Sequence, residues 1–395
     1  MNKTKFKIPF IGRGHKYTQE EVDEVSRVMN SAIPLTQGNY LREFQKKFCK
    51  YTGSNYSFAV NNATAALEMA AQLCLFASKD EVIIPGHTYT ASAYPFLKKG
   101  AKVVWADIDV KSRVISAETI EACITKNTKA IVVVHLYGFG ANMKSIMELA
   151  TKHNLIVIED AAQALGVEID GKIAGTFGNF GIYSFHSHKN LSTLGEGGML
   201  TVRDKNIADI IPMLRHNGHC DFDYERVDYW KPAMGNVDLP ELNGKVLLPN
   251  NYCLGEVECA LGIKLLDRLD QMNSQKRNRA LLFIDELKGN SELEFHRVEN
   301  KGHNYHLLVA RMKSTKKRDS FINLMAKEEG IQCVVQYYPL YRYDLYVKMG
   351  YGEANCPNTD TFFDSMVSFP FQHMMTDSDF NLMIKASKRT LKKLS

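Results

Sequence analysis

The runs IVVV (131–134) and LIVI (155–158) are apolar at every position. A strand reads this way only when both of its faces are buried, and that requires helices on both sides of a sheet. Around these runs the chain alternates. Apolar residues at helical spacing predict helices from Thr64 to about Phe76 and over 91–97, 117–124 and 143–153. Strands are expected at 81–84 (stopped by Pro85), 102–106, 129–135 and 155–160. Helix after strand after helix argues for a doubly wound, mainly parallel α/β sheet.

Beyond Asp160 the texture changes. VEIDGKI (167–173) alternates around an Asp-Gly turn and predicts a hairpin. Short strands follow at 181–185 and 199–203. Residues 216–250 are polar and carry Pro232, Pro240 and Pro249. A helix is expected from about 255 to 287, then a strand at 305–312, a helix near 318–328, a strand at 332–337 and a last helix from Asp377. These make a smaller α+β domain. The division is placed at 1–254 and 255–395. No repeat of 20–50 residues is visible, which disfavours a solenoid or propeller.

Composition excludes several classes. The 395 residues are 45% hydrophobic and 24% charged, as in ordinary globular proteins and unlike collagen or disordered chains. The net charge of +5 is spread out, with one short KKR run (316–318), so no nucleic-acid partner is expected. No apolar run is long enough to span a bilayer. MNKTKFKIPF lacks the features of a secretory leader. No membrane association is expected, and the cytoplasm is the expected compartment. The eight cysteines form no CxxC pair and read as free thiols.

Two motif matches fail on context. GVEIDGK (166–172) fits part of a phosphate loop, but Ile173 follows where Ser or Thr should stand, and the segment reads as a hairpin. His186 and His188 lack a third metal ligand at matching spacing; no metal is expected. Four other features gain meaning together. Asp160 ends a buried strand, where ligands of open α/β sheets sit; it reads equally well as a cap for AAQA (161–164). Lys189 lies in SFHSHKNLSTLGEGG (184–198), a loop of small and polar residues. Alone it reads as a surface lysine, but a desolvated one becomes a nucleophile. NNATAAL (61–67) opens a helix whose free N–H groups favour an anion. Tyr89, just past Pro85, could stack on a planar group or fill the core. A phosphate seat, a flat aromatic, a buried carboxylate and a reactive lysine are what pyridoxal 5'-phosphate requires.

The chain resembles the DegT/DnrJ/EryC1/StrS aminotransferases almost end to end. The resemblance is carried by IPF (8–10), LTQG (35–38), NATAAL (62–67), EVIIP (81–85), HTY (87–89), EDAAQALG (159–166), the SFH…K…GEGG stretch, NYCLGEVECALG (251–262) and YPLY (338–341). It implies an aspartate-aminotransferase-type fold (fold type I) with a small C-terminal domain. It also implies roles by position. Lys189 holds the cofactor covalently and shuttles the proton, and Asp160 holds the pyridine nitrogen. Gln163 lies near the phenolic oxygen, and Tyr89 stacks on the ring. Ala63, Thr64 and Ser184 bind the phosphate. Asn251 reaches the cofactor of a neighbouring subunit, which implies a homodimer. A lysine at 189, where relatives that dehydrate carry histidine, implies transamination.

The chain departs from the family pattern at Cys253, where arginine is usual, and at Gln336 and Tyr341, where histidines are usual. The 216–251 loop is long, and loops carry specificity. The expected reaction moves an amino group from L-glutamate or glutamine to a nucleotide-linked keto-deoxysugar for amino-sugar and surface-polysaccharide synthesis. The rivals are a keto-inositol or other cyclic ketone as acceptor, and a non-catalytic regulator built on the same fold.

Overall fold

The computed structural model describes residues 6–222 and 233–394. In chain order its elements are α1 (Gln19–Ser31), α2 (Asn39–Thr52), β1 (Tyr56–Val60), α3 (Ala63–Leu73), β2 (Glu81–Pro85), α4 (Tyr94–Lys98), β3 (Lys102–Ala106), α5 (Ala117–Glu121), β4 (Thr128–Val134), α6 (Met143–Lys152) and β5 (Ile156–Asp160). There follow the hairpin β6 (Glu168–Ile169) and β7 (Lys172–Ile173), then β8 (Phe180–Ser184), β9 (Gly198–Val202), α7 (Lys205–Arg215), β10 (His219–Cys220) and β11 (Asn236–Val237). The C-terminal part comprises α8 (Glu256–Leu287), β12 (Leu293–Phe295), β13 (Leu308–Met312), α9 (Thr315–Leu324), α10 (Asp344–Lys348), α11 (Pro357–Ser365), β14 (Met366–Phe369) and α12 (Asp377–Leu394).

The large sheet runs β1-β9-β8-β5-β4-β2-β3. Its pairings from β8 through β3 are all parallel, and β9 alone runs against its neighbours β1 and β8. This is the mainly parallel α/β sheet that the alternating helices and strands of the sequence predict. β4 and β5 are buried nearly throughout, as their unbroken apolar runs require. The 167–173 hairpin forms about Asp170 and Gly171, both at positive φ (+48° and +79°), the backbone that a two-residue Asp-Gly turn needs.

α8 has 32 residues and is about 48 Å long. Its first half packs in a core with α2 and β8, through Cys259, Leu265 and Leu269. Its second half, through Ala280, Phe283 and Leu287, joins the core built on β13, β14 and α12. None of the described helices is long and apolar enough to cross a membrane.

Two expected elements are corrected. The strand expected at 332–337 is reduced to isolated bridges, Ile8 to Ile331 and Val334 to Ser368. Past Val334 the chain turns towards the sheet, where Tyr137 Oη donates to Gln336 O. The strand expected from Tyr305 starts only at Leu308, because side chains hold the preceding backbone: Asn304 Oδ1 accepts from His306 N at 2.9 Å. Part of the 216–250 stretch, including Pro232, lies outside the described residues.

Candidate active site

The carboxyl ends of β2, β4, β5 and β8 meet the start of α3 around a cavity of about 600 Å³. Ala63, Thr64, Tyr89, Asp160, Gln163, Ser184 and Lys189 all line it. Asn251 does not; it is exposed, and its backbone bridges to His216.

Strand geometry separates two neighbouring carboxylates. Successive side chains of β5 point to opposite faces. Asp160 faces the cavity, where its Oδ2 accepts from Ser92 Oγ at 2.7 Å and its Oδ1 accepts from Ala162 N at 3.1 Å. No helix starts at 161–164, so Asp160 is not a helix cap. Glu159 points the other way and is wholly buried. Its carboxylate accepts from the backbone N–H groups of Gly175, Phe177 and Gly178 at 2.8, 2.6 and 2.7 Å. It is a fold anchor.

Lys189 lies in the loop between β8 and β9. The loop is pinned by Lys189 N donating to His186 O at 2.8 Å and by Gly14 N donating to Ser187 O at 2.8 Å. A Cβ at Gly14 would come within 2.2 Å of Lys189 O, so only glycine allows this approach. The lysine is half-buried at the cavity wall. Desolvation lowers its pKa to about 8, against an opposing pull from the Asp160 charge. The unprotonated, nucleophilic form is therefore reached nearer neutrality than for a solvated lysine.

At the start of α3, Asn62 Oδ1 caps Ala65 N at 2.8 Å. Helix geometry gives the preceding N–H groups of Ala63 and Thr64 no internal acceptor. Gly198 on β9 presses against this turn: a Cβ there would lie 2.6 Å from Asn62 C and 2.7 Å from Ala63 N. Gln163 is held by Tyr137 N, which donates to its Oε1 at 2.7 Å, and its Nε2 donates to Tyr337 Oη at 3.2 Å. The Tyr89 ring is more than half exposed, 5.9 Å from the Tyr337 ring.

These residues fit pyridoxal phosphate on the structure's own terms. Free N–H groups at a helix start suit its phosphate. A buried carboxylate suits its ring nitrogen, and a desolvated lysine suits its aldehyde. Three lining residues also keep a buried polar atom without a partner: Asn61 Oδ1, His306 Nδ1 and Gln336 Oε1. Such atoms are costly unless a ligand or water meets them.

The sequence reading missed several residues in and behind the cavity wall. Ser92 could have been found from Thr88 and Ser92 sharing one turn at the end of β2. Glu68, which accepts from Tyr252 Oη at 2.9 Å, lies one turn into α3, on the face that carries Thr64. His306 and Tyr337 come from the C-terminal part and had no local signal. His186 and His188 line the cavity as well.

Fold and site together define a pyridoxal-phosphate-dependent aminotransferase. The chain belongs to the DegT/DnrJ/EryC1/StrS aminotransferase family, whose model matches residues 15–387. It is 31% identical to a GDP-perosamine synthase of Escherichia coli O157:H7, over 83% of this chain and 85% of that one. It is 35% identical to an L-glutamine:2-deoxy-scyllo-inosose aminotransferase of Streptomyces kanamyceticus, over 67% of this chain and 61% of that one. An aminotransferase structure from Psychrobacter cryohalolentis superposes with a TM-score of 0.86 at 28% identity, covering 98% of this chain and all of that one.

Proposed function

We propose that this aminotransferase takes the amino group of L-glutamate, or glutamine, and delivers it to the carbonyl carbon of a nucleotide-linked keto-deoxysugar. The donor leaves as its 2-oxo acid and the acceptor as an amino sugar. The observation that carries the reading is the meeting of Lys189, Asp160 and the free N–H groups of Ala63 and Thr64 around one cavity. Pyridoxal phosphate, when bound, supplies an electron sink for the carbon that loses its proton.

The chain's own groups do the rest. Lys189 Nζ would hold the cofactor and, once displaced by a substrate amine, would take the proton from the donor's amine-bearing carbon and, in the second half of the reaction, give one to the acceptor carbon that gains the amine. Asp160, steadied by Ser92, holds a proton on the ring nitrogen. Ala63 N, Thr64 N and Ser184 Oγ hold the phosphate. Gln163 borders the phenolic oxygen, and Tyr89 covers the ring. Glu68, Glu196 and Tyr252 offer acceptors and a hydroxyl to a sugar. In the same reading Asn251, exposed and away from its own cavity, serves the partner of a homodimer. Exposed Ile33, Val246 and Leu248 fit an assembling surface. The division at 254/255 makes α8 the strut between the two domains. The protein works in the cytoplasm.

A keto-inositol acceptor is the second reading. It is favoured by the inosose aminotransferase relative and by the absence of arginine among the described lining residues, where a pyrophosphate would call for one. The test loads the protein with pyridoxal phosphate, supplies L-glutamate or L-glutamine, and offers a panel of nucleotide-linked keto-sugars beside a keto-inositol. Amination of a nucleotide-linked keto-sugar supports the first reading. Amination of the inositol alone overturns it.

A further inference from the structure

Behind Lys189 lies a second lysine to which the proposed function gives no part. Lys276, on α8, is 4% exposed. Its Nζ donates to His306 O at 2.8 Å and to Asn190 Oδ1 at 3.1 Å. Asn190 directly follows Lys189 in the chain, and its Nδ2 donates to Asn273 Oδ1 at 2.8 Å, one turn before Lys276 on the same helix. His306 lines the cavity. The Phe371 ring lies 5.7 Å from the Lys276 amine.

Both hydrogen-bond partners of Lys276 are neutral oxygens, and an ammonium buried without an opposite charge is costly. Burial, with the Lys189 charge second, pushes its pKa down to about 7. The titratable groups facing Lys276 are Lys189, His306 and His373. Those facing Lys189 are Asp160, His188 and His306, besides Lys276 itself.

We propose that Lys276 is a positioning residue for Lys189: fixed on Asn190 and on the His306 carbonyl, it shares one positive charge with the Lys189 amine. The inference rests on Lys189 being the residue that holds the cofactor. Two amines in one poorly solvated region titrate as a pair, and charge on either makes charging the other harder. While Lys189 is free and charged, Lys276 is held towards its neutral form. When Lys189 loses its charge, Lys276 takes up a proton, and that charge opposes recharging of Lys189. The nucleophilic form of Lys189 is thereby kept. The coupling is reciprocal, so each lysine reports on the other.

The test uses the full chain without cofactor. Trace acylation with acetic anhydride across a pH series, followed by peptide mapping, reads the titration midpoint of Lys189. In Lys276→Arg the charge at this position is permanent; in Lys276→Gln the hydrogen bonds can persist without charge. The Lys189 midpoint is expected about one pH unit lower in the arginine variant than in the glutamine variant. Equal midpoints in two variants that keep the wild-type melting curve overturn the inference.

A second measurement needs no change at 276. With ¹⁵N-labelled lysine, the Lys276 amine should titrate at higher pH in Lys189→Ala than in wild type; an unmoved midpoint overturns the inference. Failure of Lys189 to take up pyridoxal phosphate would instead overturn the proposed function, and both titrations would remain readable.

Discussion

Glu159→Gln should unfold the large domain more easily while leaving the cavity groups in place. Each Glu159 oxygen serves two donors. Oε1 accepts from Phe177 N and Gly178 N at 2.6 and 2.7 Å. Oε2 accepts from Gly175 N at 2.8 Å and from His135 Nε2 at 3.0 Å. Ala141 N donates to His135 Nδ1 at 3.1 Å, which places the histidine proton on Nε2, towards the carboxylate. All four donors therefore point at acceptor lone pairs. An amide offers one oxygen and one NH₂, so two of the four would face another donor. Each buried donor left unmatched costs about 1–3 kcal/mol, so the substitution should cost about 2–4 kcal/mol after partial relaxation. That is a large fraction of the roughly 5–15 kcal/mol that holds a typical domain together. Guanidinium unfolding followed by circular dichroism, at fixed protein concentration, measures the change. A midpoint equal to wild type would refute this reasoning. So would normal stability with lost cofactor binding, because Glu159 would then act on the site.

Ser92→Ala removes one donor to the Asp160 carboxylate. A hydrogen bond to a charged group is worth about 1.5–3 kcal/mol, so cofactor affinity should fall about tenfold or more, read by equilibrium dialysis. Gly198→Ala forces a Cβ against the Asn62–Ala63 peptide; repacking of this kind costs about 1–3 kcal/mol, and cofactor affinity and melting temperature should drop together. Acid should destabilise the fold through buried histidines. Burial lowers the pKa of His15 to about 4 and that of His87 to about 3. Between those values and about 6.5 the unfolded chain binds more protons, so stability falls as pH drops through this window, by about 2 kcal/mol per histidine at pH 5. Urea midpoints from pH 8 to 5 should fall, and less steeply in His87→Phe.

The central sheet was legible because β2 to β5 are apolar runs between helices, and burial on both faces admits few other arrangements. The 167–173 hairpin was legible because Asp-Gly fixes its own turn. The start of α2 was not. Its N-cap is Gly38, which has no side chain; the capping carboxylate is Glu256, which accepts from Gly38 N at 2.9 Å, Tyr40 N at 2.8 Å and Leu41 N at 3.1 Å. A cap supplied from a distant helix leaves no local trace. α1 did carry a signal that went unread, since Thr18 and Glu21 form a capping box. Segment 332–337 misled because past Val334 it turns to the cavity, where Tyr137 Oη donates to Gln336 O and Gln163 Nε2 donates to Tyr337 Oη at 3.2 Å.

At the site, Asp160, Lys189 and the start of α3 were legible from the strand ends and loops that carry them. His306 and Tyr337 arrive from the C-terminal part, and Lys276 reaches the loop behind Lys189 from mid-helix. Only the folded chain brings these together.

The most direct test of the account is borohydride reduction of the protein after incubation with pyridoxal phosphate, followed by peptide mapping. A visible chromophore that bleaches with L-glutamate or L-glutamine is expected, with one reduced cofactor adduct, on Lys189. A protein that stays colourless, or an adduct carried only on another lysine, would contradict it.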